Sequence, residues 1–187
     1  MKEKILNKIS GQEALEILKC LSKKDPIFAH QIEKEAKRLL RRIDLDEISK
    51  DVFFDLDGLD VRDLWDGSGT SRYGYISPEE KVVEMIKEEL EPYTAEIIKY
   101  LELRMTNEAK LYCMGVLKGI YRYVHESKSE FKDWTRDIPE ENFGYLLRQW
   151  KNGTKDKNDY IEMESFLKKE CPDWSDWALK KIMMKGV

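Results

Sequence analysis

The segment DLDGLD, residues 55–60, brings three aspartates and a glycine together in the most acidic part of the chain. An EF-hand calcium loop needs acidic ligands at its first, third and fifth positions, glycine at the sixth and glutamate at the twelfth, because the oxygens must converge on one ion around a sharp turn. Counted from Asp55, the fifth position is a leucine and the twelfth is Asp66. The spacing excludes an EF-hand loop. It favours a corner between two helices, in which Gly58 ends the first helix, Asp60 caps the second and the aspartates accept amide protons.

Motifs for metal or nucleophilic catalysis do not occur in the sequence. The two histidines, His30 and His125, belong to no HExxH pattern, and neither follows a glutamate at the spacing of a helical di-iron site. The serine of DGSGT does not stand in GxSxG, and neither GxGxxG nor GxxxxGK[ST] is present. We therefore expect no metal, no cofactor and no catalytic residue, and we favour a non-catalytic protein over an enzyme.

Length and composition restrict the class of protein. A chain of 187 residues is long enough for one hydrophobic core, so we expect a single domain over residues 1–187, with a possible sub-boundary at the 65–78 loop. Hydrophobic residues make up 41% and charged residues 37%, a mixture typical of folded, helix-rich proteins. The net charge of -4 gives no general attraction to nucleic acid or to anionic membranes.

The expected location is the cytoplasm. No apolar run approaches the length of a bilayer-spanning helix, and the N-terminal residues lack the continuous apolar segment of a secretory signal. The three cysteines are odd in number and far apart, which predicts reduced and mostly buried thiols.

Helix-start signals recur along the chain, each combining a capping side chain with Pro or Glu in the first turn. The clearest are Ser10 with Glu13, Asp25 before Pro26, Asp44 with Glu47, and Ser77 with Pro78 and Glu80. Further segments are expected to begin at Pro92, Thr106, Pro139 and Pro172. The apolar spacing between these signals is helical, and no segment alternates with period two. We predict an all-α protein with nine to eleven helices in antiparallel pairs, forming an irregular stack or bundle without a sheet.

The segment at residues 107–124, NEAKLYCMGVLKGIYRYV, is apolar around most of its circumference, which predicts a helix at the centre of the fold. Gly115 and Gly119 lie one turn apart and predict close approach of a neighbouring backbone. Lys110 and Lys118 distinguish this segment from a transmembrane helix with the same glycine spacing.

The 65–78 loop, WDGSGTSRYGYISP, is the one long break in helical periodicity, and it contains three aromatic residues. Three large rings in a glycine-containing loop predict an ordered crossover that folds back onto the helices, with ligand binding as the alternative. Four tryptophans in the last third of the chain are expected to pack between helices. These are Trp134, Trp150, Trp174 and Trp177.

Charge is distributed unevenly around the DLDGLD corner. Residues 44–66 carry nine acidic and two basic side chains, whereas the preceding segment carries a basic stripe. That stripe consists of Lys34, Lys37, Arg38, Arg41 and Arg42. The two segments either face each other or contact partners of opposite sign. Weak cation binding by Asp55, Asp57 and Asp60, and weak nucleic-acid binding through the 34–42 basic helix, are further alternatives.

Two segments resemble units of the tetratricopeptide (TPR) family. Residues 13–26, EALEILKCLSKKDP, resemble the second helix of that repeat, with Ala14 at a packing position. Residues 101–117, LELRMTNEAKLYCMGVL, resemble a second unit around Ala109, with Arg104 in the place of the family's tight-packing glycine. Ala14 and Ala109 lie 95 residues apart, which is not a multiple of the 34-residue repeat, so the resemblance implies TPR-like helical pairs without a regular array.

A second resemblance covers residues 10–150. The segments LDVRDLWDGSGTSRYGYISPEE, LEPYTAEIIKYLEL and SEFKDW are similar to those of an uncharacterised family of bacterial and archaeal all-helical proteins. Membership would imply the helical fold and supplies no catalytic residue, because that family has no assigned activity.

These observations predict a protein–protein interaction or scaffold protein of unknown partner, which contacts that partner beside the 65–78 loop or the acidic corner. The candidate partner-binding residues are Trp65, Tyr73, Tyr75, Asp57, Asp60 and Asp63. The alternative is a small-molecule-binding protein or an enzyme with a pocket among the helices, lined by Tyr73, Tyr75, Tyr112 and Tyr123. No feature of the sequence indicates the oligomeric state.

Overall fold

The computed structural model describes residues 5, 7–72 and 74–183, without the side chains of residues 71 and 181–183. The described residues form ten helices and one two-stranded β hairpin, so the predicted all-α class with nine to eleven helices is confirmed. The elements in chain order are α1 Gly11–Lys24, α2 Pro26–Leu40, α3 Leu45–Asp57, α4 Val61–Gly67, β1 Gly69–Ser71, β2 Gly74–Ile76, α5 Pro78–Glu102, α6 Thr106–Glu126, α7 Lys132–Thr135, α8 Ile138–Gly153, α9 Lys157–Glu170 and α10 Pro172–Met183.

The expectation of no sheet is wrong at one place, the β1–β2 hairpin. Its strands pair antiparallel with Thr70 opposite Tyr75. Gly69 and Gly74 have φ angles of 102° and 129°, which side-chain-bearing residues rarely adopt. These two glycines let the chain reverse within a few residues, although neither short strand shows an alternating apolar pattern.

Several helices begin at the capping residues that the sequence indicates. The Ser10 hydroxyl accepts the Glu13 amide proton while the Glu13 carboxylate accepts the Ser10 amide proton, and Ser77 and Glu80 form the same reciprocal pair. Pro92 is the exception, since it lies inside α5 and does not begin a helix. The helix continues because α5 buries apolar side chains on both sides of the proline, and this packing outweighs the missing amide proton.

The contacts divide the chain into two compact units, residues 1–42 and residues 43–187. In the first unit, α1 and α2 pack against each other as a helical hairpin. Neither of these two helices contains a buried residue. The single-domain organisation expected from the chain length stays a prediction.

In the second unit, α6 is the central helix, as the sequence predicts. It packs against α3, α5, α8 and α9, and ten of its residues are buried. A Cβ atom added to Gly115 would lie 2.9 Å from the Ile48 Cβ, and one added to Gly119 would lie 2.6 Å from the Val52 Cβ. The predicted close approach at the two glycines is thereby confirmed, and the neighbouring backbone belongs to α3.

A buried ion pair fastens α6 to α9. The Lys110 ammonium donates to the Asp159 carboxylate at 2.8 Å and also to Glu162, and its side chain is only 4% exposed. The Thr154 hydroxyl donates to the second Asp159 oxygen at 3.1 Å. Although burial opposes the charged ammonium, the hydrogen bonds from Lys110 to the two carboxylates raise its pKa.

Aromatic contacts close the end of the second unit. Trp174 on α10 packs edge-on against Phe143 at 5.0 Å and against Tyr121 at 5.3 Å between ring centroids. Trp150 on α8 is fully buried and packs against Tyr160. The predicted packing role is confirmed for these two tryptophans.

Within the described residues, no helix combines the length and the apolar character that a bilayer crossing requires.

Candidate functional site

A groove of about 720 Å³ runs between α5 and α8 in the second unit. On α5, lining residues follow one another at helical spacing from Val83 through Leu90 to Ile98, so the groove extends along four turns, roughly 22 Å. Tyr145 on α8 lines the opposite side. Leu90 is 2% exposed and forms the floor, whereas Val83, Ile98 and Tyr145 remain 46%, 36% and 42% exposed. The groove therefore presents apolar surface to solvent at Val83 and Ile98, four turns apart on α5, and at Tyr145 on α8.

Paired apolar residues on α5 explain this surface. Val82 and Ile97 are fully buried in the core, and each is followed directly by an exposed apolar residue, Val83 or Ile98. Successive helical residues are separated by about 100° around the axis, so one member of each pair faces the core and the other lies towards the groove. A helix that served only to cover the core would not require apolar residues at both 83 and 98.

Charged side chains of both signs also line the groove. Lys87 and Glu91 come from α5, and Glu141 and Arg148 come from α8. Other polar groups are occupied locally, because the Thr94 hydroxyl donates to the Leu90 carbonyl at 3.0 Å and the Asn142 amide donates to its own helix. The lining thus combines apolar contact with charges that can pair with either sign.

The DLDGLD segment is the helix corner that its spacing predicts. Asp57 is the last residue of α3, Gly58 follows as its C-cap, and Asp60 caps α4 by accepting the Arg62 amide proton at 2.8 Å. Hydrogen bonds from the Arg62 guanidinium and amide hold the pKa of Asp60 below its usual value. The sequence-based expectation is wrong in one detail: Asp55 and Asp57 accept hydroxyl protons, from Tyr93 and from Ser127 at 2.5 Å respectively.

The described residues contain no group of three or more His, Cys, Asp or Glu side chains that could hold a metal ion. Burial and the hydrogen bond to Asp55 raise the pKa of Tyr93, and burial together with the charge of Asp55 raises the pKa of Glu89. The Tyr93 hydroxyl therefore ties the acidic corner to α5, and the nearby Glu89 carboxyl holds its proton more firmly than in solution.

The two described aromatic candidates of the 65–78 loop, Trp65 and Tyr75, lie on different elements. Trp65 on α4 is half-exposed and packs edge-on against Trp134 at 5.2 Å. Tyr75 on β2 is 66% exposed, and Asp63 is exposed on α4. Tyr73 lies outside the described residues. The expected folding back of the loop therefore holds for Trp65 and fails for Tyr75, because the short hairpin directs Tyr75 into solvent. A role in partner binding stays a prediction for all six candidates.

The three described tyrosines of the alternative pocket, Tyr75, Tyr112 and Tyr123, do not line the groove. Tyr123 is fully buried and Tyr112 is half-buried, and burial raises the pKa of each to about 12.

In the basic stripe, Lys37 pairs with Glu33 at 2.5 Å and Arg38 pairs with Glu35 at 2.6 Å. Part of that positive charge is therefore neutralised within α2.

The groove itself is absent from the sequence-based prediction, which places the binding surface at the acidic corner or the 65–78 loop. Comparison of the chain with protein-family models, with curated proteins and with solved structures finds no match. The TPR-like pairing stays a prediction, and the geometry of the groove is the basis for a functional proposal.

Proposed function

We propose that this chain is a non-catalytic protein–protein interaction protein, and that its second unit receives an amphipathic helix of another protein in the groove between α5 and α8. The observation that carries the proposal is an apolar row on α5, in which Val83 and Ile98 are exposed at the two ends of four turns and the buried Leu90 forms the floor between them. A helix lying along such a row contacts it with residues spaced three and four apart, the usual pattern of helix-in-groove recognition.

The open shape of the groove favours a polypeptide over a small molecule. Small-molecule sites are concave and bury most of the ligand surface. Here Val83, Ile98 and Tyr145 keep between 36% and 46% of their surface exposed, and Val83 and Ile98 lie four turns of α5 apart, farther than one small ligand would cover. A helix of about four turns would instead cover all three side chains together.

The charges in the lining support a specific orientation of the partner. Lys87 and Arg148 would pair with acidic residues flanking the partner's apolar stripe, and Glu91 and Glu141 with basic residues. Tyr145 is the residue that we expect to contribute most to affinity, because an aromatic side chain at the middle of a groove buries a large area when a partner covers it. The acidic corner is a poorer binding surface, since its aspartates already accept protons within the fold.

We further propose that the protein acts in the cytoplasm. The support comes from the thiols: all three cysteines are free, with Cys20 exposed and Cys113 and Cys171 buried. Free thiols of this kind fit a reducing compartment. Fractionation of source cells, with the protein detected by antibody, checks the location.

Photo-crosslinking tests the groove proposal. The photoreactive residue p-benzoylphenylalanine replaces Tyr145, which is exposed enough to accept it without repacking the core. A matched control carries the same residue at Ile161, a 63% exposed apolar position on α9 that does not line the groove. In lysate of the source organism, we expect one discrete adduct from position 145 and none from position 161.

A second variant links the adduct to the groove. Val83→Glu, combined with the reactive residue at 145, places a charge in the apolar row. Because Val83 is 46% exposed, the substitution does not put the charge into the core. The adduct should fall at least tenfold, because desolvating a carboxylate opposes burial of the row. Identical adducts at 145 and 161, or an adduct that Val83→Glu leaves unchanged, would contradict the proposal.

A further inference from the structure

The α1–α2 hairpin keeps its apolar side chains in solvent. On α1, Ile17, Leu18 and Leu21 are 46%, 43% and 36% exposed, and on α2, Phe28 and Leu39 are 45% and 55% exposed. Each helix is amphipathic, yet neither buries a single residue. The hairpin thus has an apolar stripe on each helix and no core of its own.

Such a hairpin has little buried apolar surface to stabilise it on its own. Isolated helices of 14 and 15 residues are marginal in water, and helices in proteins owe most of their stability to burial of the apolar face. Packing one helix on the other covers only part of each stripe, as the exposed leucines show. A second pair of helices placed across the same face would complete a four-helix arrangement.

The charges of α1 indicate which pair of helices fits. Its first half carries Glu13 and Glu16, and its second half carries Lys19, Lys23 and Lys24. An antiparallel copy of α1 would place opposite charges side by side at both ends. In particular, Glu13 and Lys24 lie on the same flank of the apolar stripe, so Glu13 would meet Lys24 of the partner subunit, and Leu18 would lie close to the two-fold axis.

We propose that the hairpin is a dimerisation module, in which two copies of this chain pack hairpin against hairpin as an antiparallel four-helix bundle. The contact is isologous, so the apolar stripe of each hairpin packs against the same stripe of the other copy. Hydrogen bonds from Ser10 lower the pKa of Glu13, which keeps this carboxylate charged for the pairing. The module is independent of the groove proposal, because the groove lies within the second unit.

Other occupants fit the hairpin less well. The basic residues would favour an anionic membrane surface, but four glutamates on the two helices would be repelled by it. These are Glu13, Glu16, Glu33 and Glu35. A second copy matches both signs of charge at once.

Sedimentation equilibrium of the full chain tests the proposal directly. The wild-type protein should sediment at twice 22.2 kDa. Leu18→Glu should sediment at 22.2 kDa, because the charge would lie at the two-fold axis, whereas Ile161→Glu, a matched change at an exposed apolar residue of α9, should leave the dimer intact. A wild-type monomer at tens of micromolar, or a dimeric Leu18→Glu, would overturn the proposal.

A charge-exchange experiment distinguishes specific pairing from loss of helix structure. Lys24→Glu should weaken dimerisation at least tenfold, because like charges then meet at both ends of the interface. Adding Glu13→Lys to the same chain should restore most of that loss, although Glu13→Lys also removes a capping carboxylate. A double variant that dimerises no better than Lys24→Glu alone would rule out the antiparallel pairing.

Crosslinking through the native Cys20 thiol tests the dimer without a substitution that could destabilise the hairpin. Cys20 is the exposed thiol of the chain, and Cys113 and Cys171 are buried. A short bismaleimide should join Cys20 to its copy in the wild-type protein. A chain with Cys20→Ser and Lys19→Cys, which moves the thiol to the polar side of α1, should give little product. Equal crosslinking from both positions, or cosedimentation with phosphatidylserine vesicles in place of self-association, would contradict the dimer.

Discussion

Gly119 of α6 lies directly against Val52 of α3, so close that a Cβ atom on the glycine would come within 2.6 Å of the Val52 Cβ. The same atom would lie 2.8 Å from the carbonyl oxygen of Ser49, a backbone atom that cannot rotate away. The two helices therefore meet with almost no side-chain volume between them. Crowding at this point must be relieved by moving a whole helix.

Gly119→Ala should destabilise the protein by about 3 kcal/mol, because overpacking at a rigid helix crossing outweighs the better helix propensity of alanine. Urea unfolding followed by circular dichroism measures the change. Gly11→Ala is the matched control, since the added Cβ would meet no described residue within 4 Å beyond its chain neighbours and its own helix, and the substitution should be neutral or slightly stabilising. Equal loss in both variants would show that the crossing is looser than the structure indicates.

Lys110→Met should cost about 3 to 5 kcal/mol of folding stability, because the substitution leaves the Asp159 carboxylate buried without its cation. The raised pKa of Lys110 sets the pH range of this contribution. A group whose pKa is higher in the folded state contributes fully below its unfolded pKa, near 10.5, and loses that contribution as the pH rises through the folded value. The cost of Lys110→Met should therefore be constant around neutral pH.

A double variant provides the control for this ion pair. Lys110→Met with Asp159→Leu removes both charges, and it should recover at least half of the lost stability. The recovery should be incomplete, because the buried Thr154 hydroxyl also loses its acceptor. A double variant less stable than Lys110→Met would show that the carboxylate is not the source of the cost.

Arg104→Gly should stabilise the protein by about 1 kcal/mol, since Arg104 has a φ angle of 57°, in the left-handed region that disfavours a side chain. Its amide donates to Leu101 and the Met105 amide donates to Tyr100, the hydrogen bonds of a helix end at which glycine is usual. Thermal unfolding measures the gain. Arg104→Ala keeps the Cβ atom and should show no such gain, which separates backbone strain from loss of the arginine charge.

Glu89→Gln should stabilise the protein at pH 7 and have no effect below about pH 4.5. Burial and the charge of Asp55 raise the pKa of Glu89, so the folded state holds this proton more tightly than the unfolded state does. Stability therefore falls as the pH rises from the unfolded value of 4.5 through the folded value. Melting temperatures at pH 4 and pH 7 test this, with the exposed neighbour Glu88→Gln as control. A gain of the same size at both pH values would be inconsistent with a titrating carboxyl.

Local signals in the sequence predict much of the fold because their causes are local. The start of α5 can be predicted from Ser77 and the glutamate three residues later. The close contact at Gly115 and Gly119 can be predicted from two glycines one turn apart in a helical segment. Pro92 shows where this logic fails. A proline usually marks a helix boundary, but the buried face of α5 extends past it, and burial is a property of the assembled fold.

The groove is not predictable from the sequence because its walls lie more than forty residues apart. Val83 and Ile98 come from α5, whereas Tyr145 comes from α8, and only the packing of the two helices makes them neighbours. One signal does exist in the sequence. The doubled apolar residues at 82–83 and 97–98 indicate that α5 has more apolar surface than one core-facing stripe requires.

All five tryptophans of the chain, from Trp65 to Trp177, belong to the second unit. Intrinsic fluorescence therefore reports on residues 43–187 and is blind to the α1–α2 hairpin, whereas far-ultraviolet circular dichroism records both. Noncoincident transitions in the two signals would mark the hairpin as melting separately, and the gap between them would depend on protein concentration if assembly holds the hairpin together.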